Sequence, residues 1–264
     1  MKIGIIYIAT GRYICFWKEF YKTAKKFLFP NHEKEFFVIT DNEHFDFKEN
    51  SDVKTFYYPK LSWPMAGLMK FDATLKAKNE ILKCDYCYYF NANMKFIDYI
   101  GDEIIPKEEH ENLAICKWAS YFNNHNNLEF PYDRTPGCWA NIPMGEGEHY
   151  LMAGLHGGKS DKYIEMCEEL NARTNEDIAK NLIAKFHDES YLNRYFLYKK
   201  PLLINPRYAM PEKWKVKGCE GHKALILKKH HYKYGGHAYL RGETDKKITP
   251  LKWFLNKFFG LNLI

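Results

Sequence analysis

The first half of the chain alternates short apolar runs with longer amphipathic segments. The apolar runs predict β-strands over residues 3–9, 35–40, 55–58 and 86–90. The last of these is almost entirely aromatic, which is typical of a central strand covered on both faces. Because strands that alternate with helices indicate βα units, the predicted fold class is α/β with a mostly parallel sheet and a Rossmann-like nucleotide-binding half.

Two segments between these strands have the period of amphipathic helices. The first ends before Pro30, and its apolar positions are Phe16, Phe20, Ala24 and Phe27. The second begins at Pro64 and is predicted as one long helix, with an apolar side formed by Leu68, Phe71, Leu75, Ile81 and Leu82. A Gly-x-Gly-x-x-Gly turn is missing from this half, which argues against a dinucleotide cofactor.

The second half is less regular. Its predicted strands cover residues 113–118, 202–204 and 224–227, and its predicted helices cover 160–170 (with Ser160 as the cap), 176–185 and the segment up to 196. Residues 120–148 are polar and rich in Asn and Pro, and a loop of that length in a compact domain tends to be functional. With no evident repeat or linker, we expect one catalytic domain over 1–264, with a nucleotide half (1–96), a sugar and acceptor half (97–245) and a tail (246–264).

Composition narrows the class of protein. Met1 leads almost directly into the first strand, and no segment approaches the roughly 20 apolar residues of a membrane span. Seven scattered cysteines indicate reduced thiols, so we expect a cytoplasmic protein. The net charge is +6, and without a recognisable nucleic-acid motif it points to a phosphorylated ligand or an anionic lipid rather than nucleic acid. The basic, aromatic tail is either an in-plane membrane helix or a helix docked on the core.

Asn91-Ala92-Asn93 ends the aromatic strand with two short polar side chains. Ligands of open α/β sheets bind beyond the carboxyl ends of the strands, so these side chains are candidates for a binding site. Nucleotide-sugar transferases have two aspartates in this layout, and the carboxylates hold a divalent cation. Here both are amides, and an ordinary Asn-rich turn is the alternative.

The segment 186–193 holds Asp188 and Glu189 at a predicted helix start. Adjacent residues cannot share a helix face, so the two carboxylates should have separate functions. Simple capping of the helix is the alternative for Asp188.

This segment resembles a motif of glycosyltransferase family 6, which makes blood group A and B antigens and related α1,3-linked glycans. The matching residues are His187-Asp188-Glu189-Ser190-x-Leu192-Asn193-x-Tyr195. Further segments match the family in the right order, namely Ile8-Ala9 with Tyr13, Asn91-Ala92-Asn93, Tyr150 to Gly158, and Lys229-His230-His231. The likeness is closest to bacterial members, which also carry Asn-x-Asn.

The resemblance implies a GT-A fold and a retaining transferase that uses UDP-GalNAc or UDP-Gal. Glu189 matches the catalytic glutamate, and it would either attack the anomeric carbon or stabilise an ion pair. Donor-sugar residues would be Asp188, His187 (which could bind the acceptor instead), Met152, Ala153, Gly154, Asn91 and Asn93. Nucleotide-binding residues would be Ile8, Ala9, Thr10, Tyr13, Lys70, Ala92, Lys229 and Lys233.

The amides at 91 and 93 lead us to expect no metal and no other cofactor. They lack the negative charge that holds Mg²⁺ or Mn²⁺, so lysines would neutralise the departing UDP. By the resemblance, Met152 and Gly154 fall at the two sugar-selecting positions of the family. A glycine at the second leaves space for an N-acetyl group and favours UDP-GalNAc over UDP-Gal, although a tight turn could also require it.

The expected acceptor is a β-galactoside, with fucose as in the H antigen. Candidate acceptor residues are Trp118, Pro131, Trp139 (preferred), Trp214 and Glu189. A glycoside hydrolase using Asp188 and Glu189 and a non-catalytic glycan-binding module are the alternative functions.

Overall fold

The structure is a computed structural model, and it describes residues 1–42 and 50–259. The strands of the described part are β1 (Lys2–Ile8), β2 (Glu33–Thr40), β3 (Val53–Tyr57), β4 (Tyr86–Phe90), β5 (Met94–Phe96), β6 (Leu113–Lys117), β7 (Leu151–Lys159), β8 (Leu202–Ile204), β9 (Met210–Pro211) and β10 (Ala224–Ile226). The helices are α1 (Trp17–Phe27), α2 (Met65–Leu68), α3 (Lys70–Leu75), α4 (Lys78–Ile81), α5 (Ser160–Ala179), α6 (Asp188–Phe196), α7 (His237–Arg241) and α8 (Pro250–Phe259).

Seven strands form one mixed sheet in the order β3-β2-β1-β4-β7-β6-β8. The first four are parallel to one another, as the βα pattern predicted, and β7 runs antiparallel to both β4 and β6. A smaller sheet pairs β10 with β5 and β9. Buried side chains cover both faces of the large sheet, which explains the near-continuous apolar strands.

The strand predictions agree with the structure to within two residues at each end, and β4 covers residues 86–90 as predicted. The helix that was predicted to begin at Pro64 is instead three short helices. The backbone leaves helical geometry at Met69 and Ala77, and Leu82 on the predicted apolar side is 44% exposed. The break at Met69 directly precedes Lys70, whose buried ammonium group makes tertiary contacts described below, so packing outweighs local helix propensity here.

The two helices predicted at 160–170 and 176–185 were also wrong, because α5 is continuous from Ser160 to Ala179. The polar stretch between them conceals the continuity, and Thr174 bonds back to the Leu170 carbonyl oxygen inside the helix at 2.7 Å. Ser160 does not cap the helix. Lys159 occupies that position, and it makes no capping side-chain bond.

The tail forms α8, whose residues Leu251 and Phe254 are exposed, while Trp253 packs against His231 and Tyr232 with ring centroids 4.7 and 5.4 Å apart. Residues 260–264 of the predicted tail lie outside the described residues. Among the residues described, no helix has the length and apolar character needed to cross a membrane.

Candidate active site

A cavity of about 580 Å³ lies at the edge of the large sheet where β1 and β4 end. Since β7 runs antiparallel to β4, its first residues reach the same edge, and Asn91 N–H bonds to the Gly154 carbonyl oxygen at 2.9 Å. The helix α6 begins at this edge as well. The topology thus brings together segments that are far apart in the sequence.

Most of the predicted site residues line this one cavity. They are Ile8, Thr10, Tyr13, Lys70, Asn91, Ala92, Asn93, Trp118, Met152, Ala153, Gly154, His187, Asp188, Glu189 and Lys229. They come from both halves of the chain, so the fold brings the predicted nucleotide and sugar residues to one cavity.

Five predicted residues are not among those that line the cavity. Ala9 directly follows β1 and is buried, and Lys233 is exposed beside the ring of Tyr234. Pro131 lies in the loop between two buried aromatic residues of a separate cluster. Trp139, the preferred acceptor residue, instead stacks on Tyr191 at 6.1 Å.

Trp214 contributes to the cavity only through a neighbour. Its ring stacks on Trp118 with centroids 6.1 Å apart and an interplanar angle of 7°. Because Trp118 lines the cavity and Trp214 is 42% exposed, the pair forms an aromatic wall that leads from the cavity towards solvent.

Glu189 lies at the buried side of the cavity. One carboxylate oxygen accepts a hydrogen bond from the Tyr150 hydroxyl at 2.9 Å, and the other accepts one from Ala153 N–H at 3.0 Å. Burial raises the pKa of Glu189 to about 7, against the lowering effect of these two donors. The helix turn that carries it is fixed by Asn193, which accepts from Leu151 N–H at 2.9 Å and donates to the Leu151 carbonyl oxygen at 2.8 Å.

Asp188 has different partners from Glu189, as expected for adjacent residues on different faces of a helix. Its carboxylate forms a salt bridge with Lys70, which also donates to the Ala153 carbonyl oxygen at 2.8 Å. Burial lowers the pKa of Lys70, but Asp188 and Tyr89 more than offset this, so its pKa is raised and it stays charged. The capping interpretation of Asp188 is wrong, because it is the first helical residue and His187 is the N-cap, with no side-chain capping bond.

His187 adopts a backbone conformation that is rare for a residue with a side chain. Its φ is 51° and its ψ is −126°, and its ring meets Trp63 edge-on at 4.3 Å. Such strain costs on the order of 1–3 kcal/mol and is concentrated in functional sites. Burial lowers the pKa of His187, so the imidazole is neutral at pH 7.

The two amides after β4 have different surroundings. The Asn93 side chain is 2% exposed and donates to the Leu227 carbonyl oxygen at 2.7 Å, while Leu227 N–H donates back to the Asn93 carbonyl oxygen at 2.9 Å. Asn91 accepts a hydrogen bond from the Tyr89 hydroxyl at 3.0 Å. In the described residues, no group of three or more His, Cys, Asp or Glu side chains is placed to hold a metal ion.

A positive region faces these amides from the late part of the chain. Lys229 lies 5.1 Å from the ring centroid of Tyr13, and Arg241 lies 4.0 Å from that of Trp63. Burial, together with the charges of Arg241 and Lys70, lowers the pKa of Lys229 to about 8. Cations held this way suit an anionic ligand.

The sequence model of glycosyltransferase family 6 matches residues 1–221. The chain belongs to glycosyltransferase family 6. The predicted family is confirmed, and with it the GT-A fold, which this mixed sheet and its flanking helices represent. As a family member, the protein is a glycosyltransferase that uses a nucleotide-sugar donor and a glycan acceptor.

Individual relatives agree with the family assignment. The chain is 31% identical over 214 residues to the O-antigen biosynthesis glycosyltransferase WbnI of Escherichia coli, which covers 81% of this chain and 90% of that protein. It is 26% identical to histo-blood group ABO system transferase 1 of Rattus norvegicus, covering 80% of this chain and 61% of the relative. It is 26% identical to globoside alpha-1,3-N-acetylgalactosaminyltransferase 1 of Gallus gallus, covering 79% and 61%.

Several site residues of this family 6 protein were missed at the sequence level. Tyr89 reads as a core aromatic within β4, and Trp63 and Arg241 lie in irregular segments with no periodic pattern. Tyr150 was noted only as the start of a sugar-selecting segment. The sequence does not predict its contact with Glu189, because that contact depends on how the start of β7 packs against α6.

Proposed function

We propose that this protein is a retaining transferase that moves GalNAc from UDP-GalNAc in α1,3 linkage to a fucosylated β-galactoside, without a divalent metal. The observation that carries the proposal is Glu189. Its carboxylate is partly buried at the cavity and held by Tyr150 and Ala153, and both of its oxygens are oriented by donors. In a retaining reaction, a carboxylate beside the anomeric carbon can act as the nucleophile, and Glu189 supplies an oriented one.

In this reaction the bond between the anomeric carbon and the UDP oxygen breaks, and its electron pair leaves with UDP. Glu189 either forms a covalent ester with the sugar or stabilises the oxocarbenium-like ion by its charge. The acceptor hydroxyl then forms the new glycosidic bond on the face that UDP has left. Any ester bond to Glu189 breaks in this step, and the hydroxyl proton passes to an oxygen of the departed diphosphate. Asp188, which lines the cavity and is held by Lys70, would bind hydroxyl groups of the donor sugar.

Two cations are placed to offset the charge of UDP. Lys229 and Arg241 line the cavity next to Tyr13 and Trp63, on the nucleotide side. Lys70 was predicted to share this role, but its ammonium group is engaged by Asp188 and Ala153. We therefore assign the role of the missing metal to Lys229 and Arg241.

The choice of GalNAc rests on Gly154. A Cβ atom at this position would lie only 2.6 Å from Met152 Cε and 2.9 Å from Asn91 Nδ2, so any side chain here would displace one of these two cavity-lining groups. Gly154 lies inside β7 and its φ is not positive, so a tight turn does not explain the glycine. The name of the Gallus gallus relative, globoside alpha-1,3-N-acetylgalactosaminyltransferase 1, agrees with this choice.

UDP release from UDP-GalNAc in excess EDTA, with and without 2′-fucosyllactose, tests the proposal. Release stimulated by the acceptor, with a product one N-acetylhexosamine larger, would support it. Release that requires Mn²⁺ would overturn metal independence. A higher rate with UDP-Gal than with UDP-GalNAc would show that UDP-Gal is the donor. Binding of fucosyllactose without any UDP release would favour a glycan-binding module.

We also propose that the protein is cytoplasmic and makes peripheral contact with anionic lipid through α8 and the preceding segment. Lys246, Lys247 and Lys252 are available beside the exposed apolar side chains of Leu251 and Phe254. Truncation after Thr249 should abolish cosedimentation with phosphatidylserine vesicles. Unchanged cosedimentation of the truncated protein would rule out the tail as the anchor.

A further inference from the structure

Tyr89 lines the cavity, and the proposed reaction gives it no role. It is the fourth residue of β4, its side chain lines the cavity, and it is 5% exposed. Its hydroxyl donates to Asn91 Oδ1 at 3.0 Å, across two positions of the same extended segment. Burial raises the pKa of Tyr89, so the hydroxyl keeps its proton at neutral pH and can act as this donor.

This bond decides which end of the Asn91 carboxamide the donor substrate meets. The oxygen is the only atom of the amide that can bind a metal, and one of its two lone pairs accepts the hydrogen bond from Tyr89. The NH₂ group points the other way, and Asn91 Nδ2 lies 2.9 Å from the place where a Cβ of Gly154 would be. It therefore faces the part of the cavity assigned above to the donor sugar.

The ring of Tyr89 is fixed from two sides, so the hydroxyl has little freedom. It stacks on the buried His156 with centroids 5.1 Å apart and an interplanar angle of 23°. The Lys70 ammonium group lies 4.3 Å from its centroid. The His156 contact is with the ring alone, whereas the Lys70 ammonium group also interacts with the hydroxyl group.

We infer that Tyr89 is a positioning residue that holds the Asn91 carboxamide with its NH₂ group towards the donor substrate. Asn91 then binds the UDP-sugar as a hydrogen-bond donor, where an aspartate would bind it through a metal ion. The inference rests on the proposed function and extends it, since it gives the first amide of Asn91-Ala92-Asn93 a definite task.

A double-mutant cycle on donor binding tests this coupling. UDP-GalNAc is titrated calorimetrically, in excess EDTA, into the wild type, Tyr89→Phe, Asn91→Ala and the double variant. We expect Tyr89→Phe to weaken binding about fivefold, the effect of one hydrogen bond. In the Asn91→Ala background the same exchange should change the affinity less than about twofold, because Tyr89 acts through Asn91.

Tyr88→Phe is the matched control. Tyr88 precedes Tyr89 in the same strand, is equally buried, and donates to the Ile104 carbonyl oxygen at 2.7 Å, outside the cavity. Removing the Tyr88 hydroxyl should leave the affinity for UDP-GalNAc unchanged, while it lowers the melting temperature about as much as Tyr89→Phe does. The turnover number of Tyr89→Phe at saturating donor should stay within about twofold of the wild type, as expected when ground-state binding is lost.

Additive effects in the cycle, or an equal loss of affinity in Tyr88→Phe, would overturn the role of Tyr89. Neither result would affect the proposed transfer reaction. Conversely, wild-type protein that binds UDP-GalNAc with the expected coupling but transfers nothing would refute the proposed function alone. Wild-type protein that does not bind UDP-GalNAc in EDTA would refute both.

Discussion

The hydroxyl of Tyr150 donates a hydrogen bond of 2.9 Å to the carboxylate of Glu189, 39 positions later in the chain. This contact joins the first turn of α6 to the residue that directly precedes β7. It also favours the ionised form of a carboxylate whose burial favours the protonated form. Tyr150 therefore affects the pH range in which Glu189 can act.

The acid limb of the pH–rate profile should report Glu189. Burial raises its pKa to about 7, and the proposed reaction needs the carboxylate, so kcat/KM should fall as the pH falls through about 7. Tyr150→Phe removes a donor to the charged form and should move this limb to higher pH by up to about one unit. Initial rates of UDP release between pH 5 and 9 measure it.

The control for this shift is Tyr132→Phe. Tyr132 packs against Tyr150 with centroids 5.6 Å apart, but its hydroxyl donates to the His149 carbonyl oxygen rather than to Glu189. The limb should stay in place in that variant. An unchanged limb in Tyr150→Phe would show that Glu189 does not set the acid limb.

Glu189→Gln should abolish transfer and stabilise the fold at alkaline pH. The pKa of Glu189 is raised in the folded protein from 4.5 to about 7, so the buried charge costs stability that grows as pH rises from 4.5 and levels off above 7. The gain from Gln should therefore be near zero at pH 4 and reach at most about 3 kcal/mol at pH 8. Urea unfolding at the two pH values measures the difference.

The neighbouring exchange Asp188→Asn should have the opposite effect on stability and destabilise the fold. It leaves the Lys70 ammonium group buried without its carboxylate, and removing one partner of a buried pair costs about 3–5 kcal/mol. A stabilising Asp188→Asn, or a Glu189→Gln gain that does not grow with pH, would contradict these assignments.

The sequence was a good guide to the strands and to the identity of the site, and a poor guide to long-range contacts. The buried run at 86–90 and the carboxylates of 188 and 189 could be predicted because each depends on a local pattern. The pair of Lys70 with Asp188 could not, since it depends on the break before α3 and on the packing of α3 near α6. Aromatic side chains were the hardest to place. Trp118 and Trp139 look alike in sequence, yet one lines the cavity and the other stacks on Tyr191.

Gly154→Leu should reduce GalNAc transfer more than galactose transfer. The new side chain would collide with Met152 Cε and Asn91 Nδ2, and it would take up cavity volume that the proposal gives to the N-acetyl group. A steric mismatch of this size is worth about 1–3 kcal/mol, so the ratio of kcat/KM for UDP-GalNAc to that for UDP-Gal should fall at least about tenfold. Rates with the two donors measure the ratio. An equal loss with both donors would mean that Gly154 supports the backbone and not the choice of sugar.

Asn93→Asp should destabilise the fold without creating a metal requirement. The buried amide donates to the Leu227 carbonyl oxygen, and a carboxylate would place acceptor against acceptor at the same point, at a cost of about 1–3 kcal/mol or more. Urea unfolding gives the cost, and a Mn²⁺ titration of transfer tests the metal. Asn175→Asp, the same exchange on the exposed surface of α5, should stay within about 0.5 kcal/mol of the wild type. Strong Mn²⁺ activation of Asn93→Asp would show that the position still supports a metal site.

Binding of UDP should weaken as the pH rises through about 8, and Lys229 should be the cause. Burial lowers the pKa of this ammonium group to about 8, so its positive charge is lost over that range, and the attraction for the diphosphate is lost with it. Lys229→Arg keeps its charge at all accessible pH values and should remove the alkaline loss of affinity. Calorimetric titration of UDP between pH 6.5 and 9.5 measures both proteins, and Lys233→Arg, at an exposed position outside the cavity, is the matched control. If the wild type and Lys229→Arg lose affinity in parallel, another group titrates at the diphosphate and Lys229 does not replace the metal.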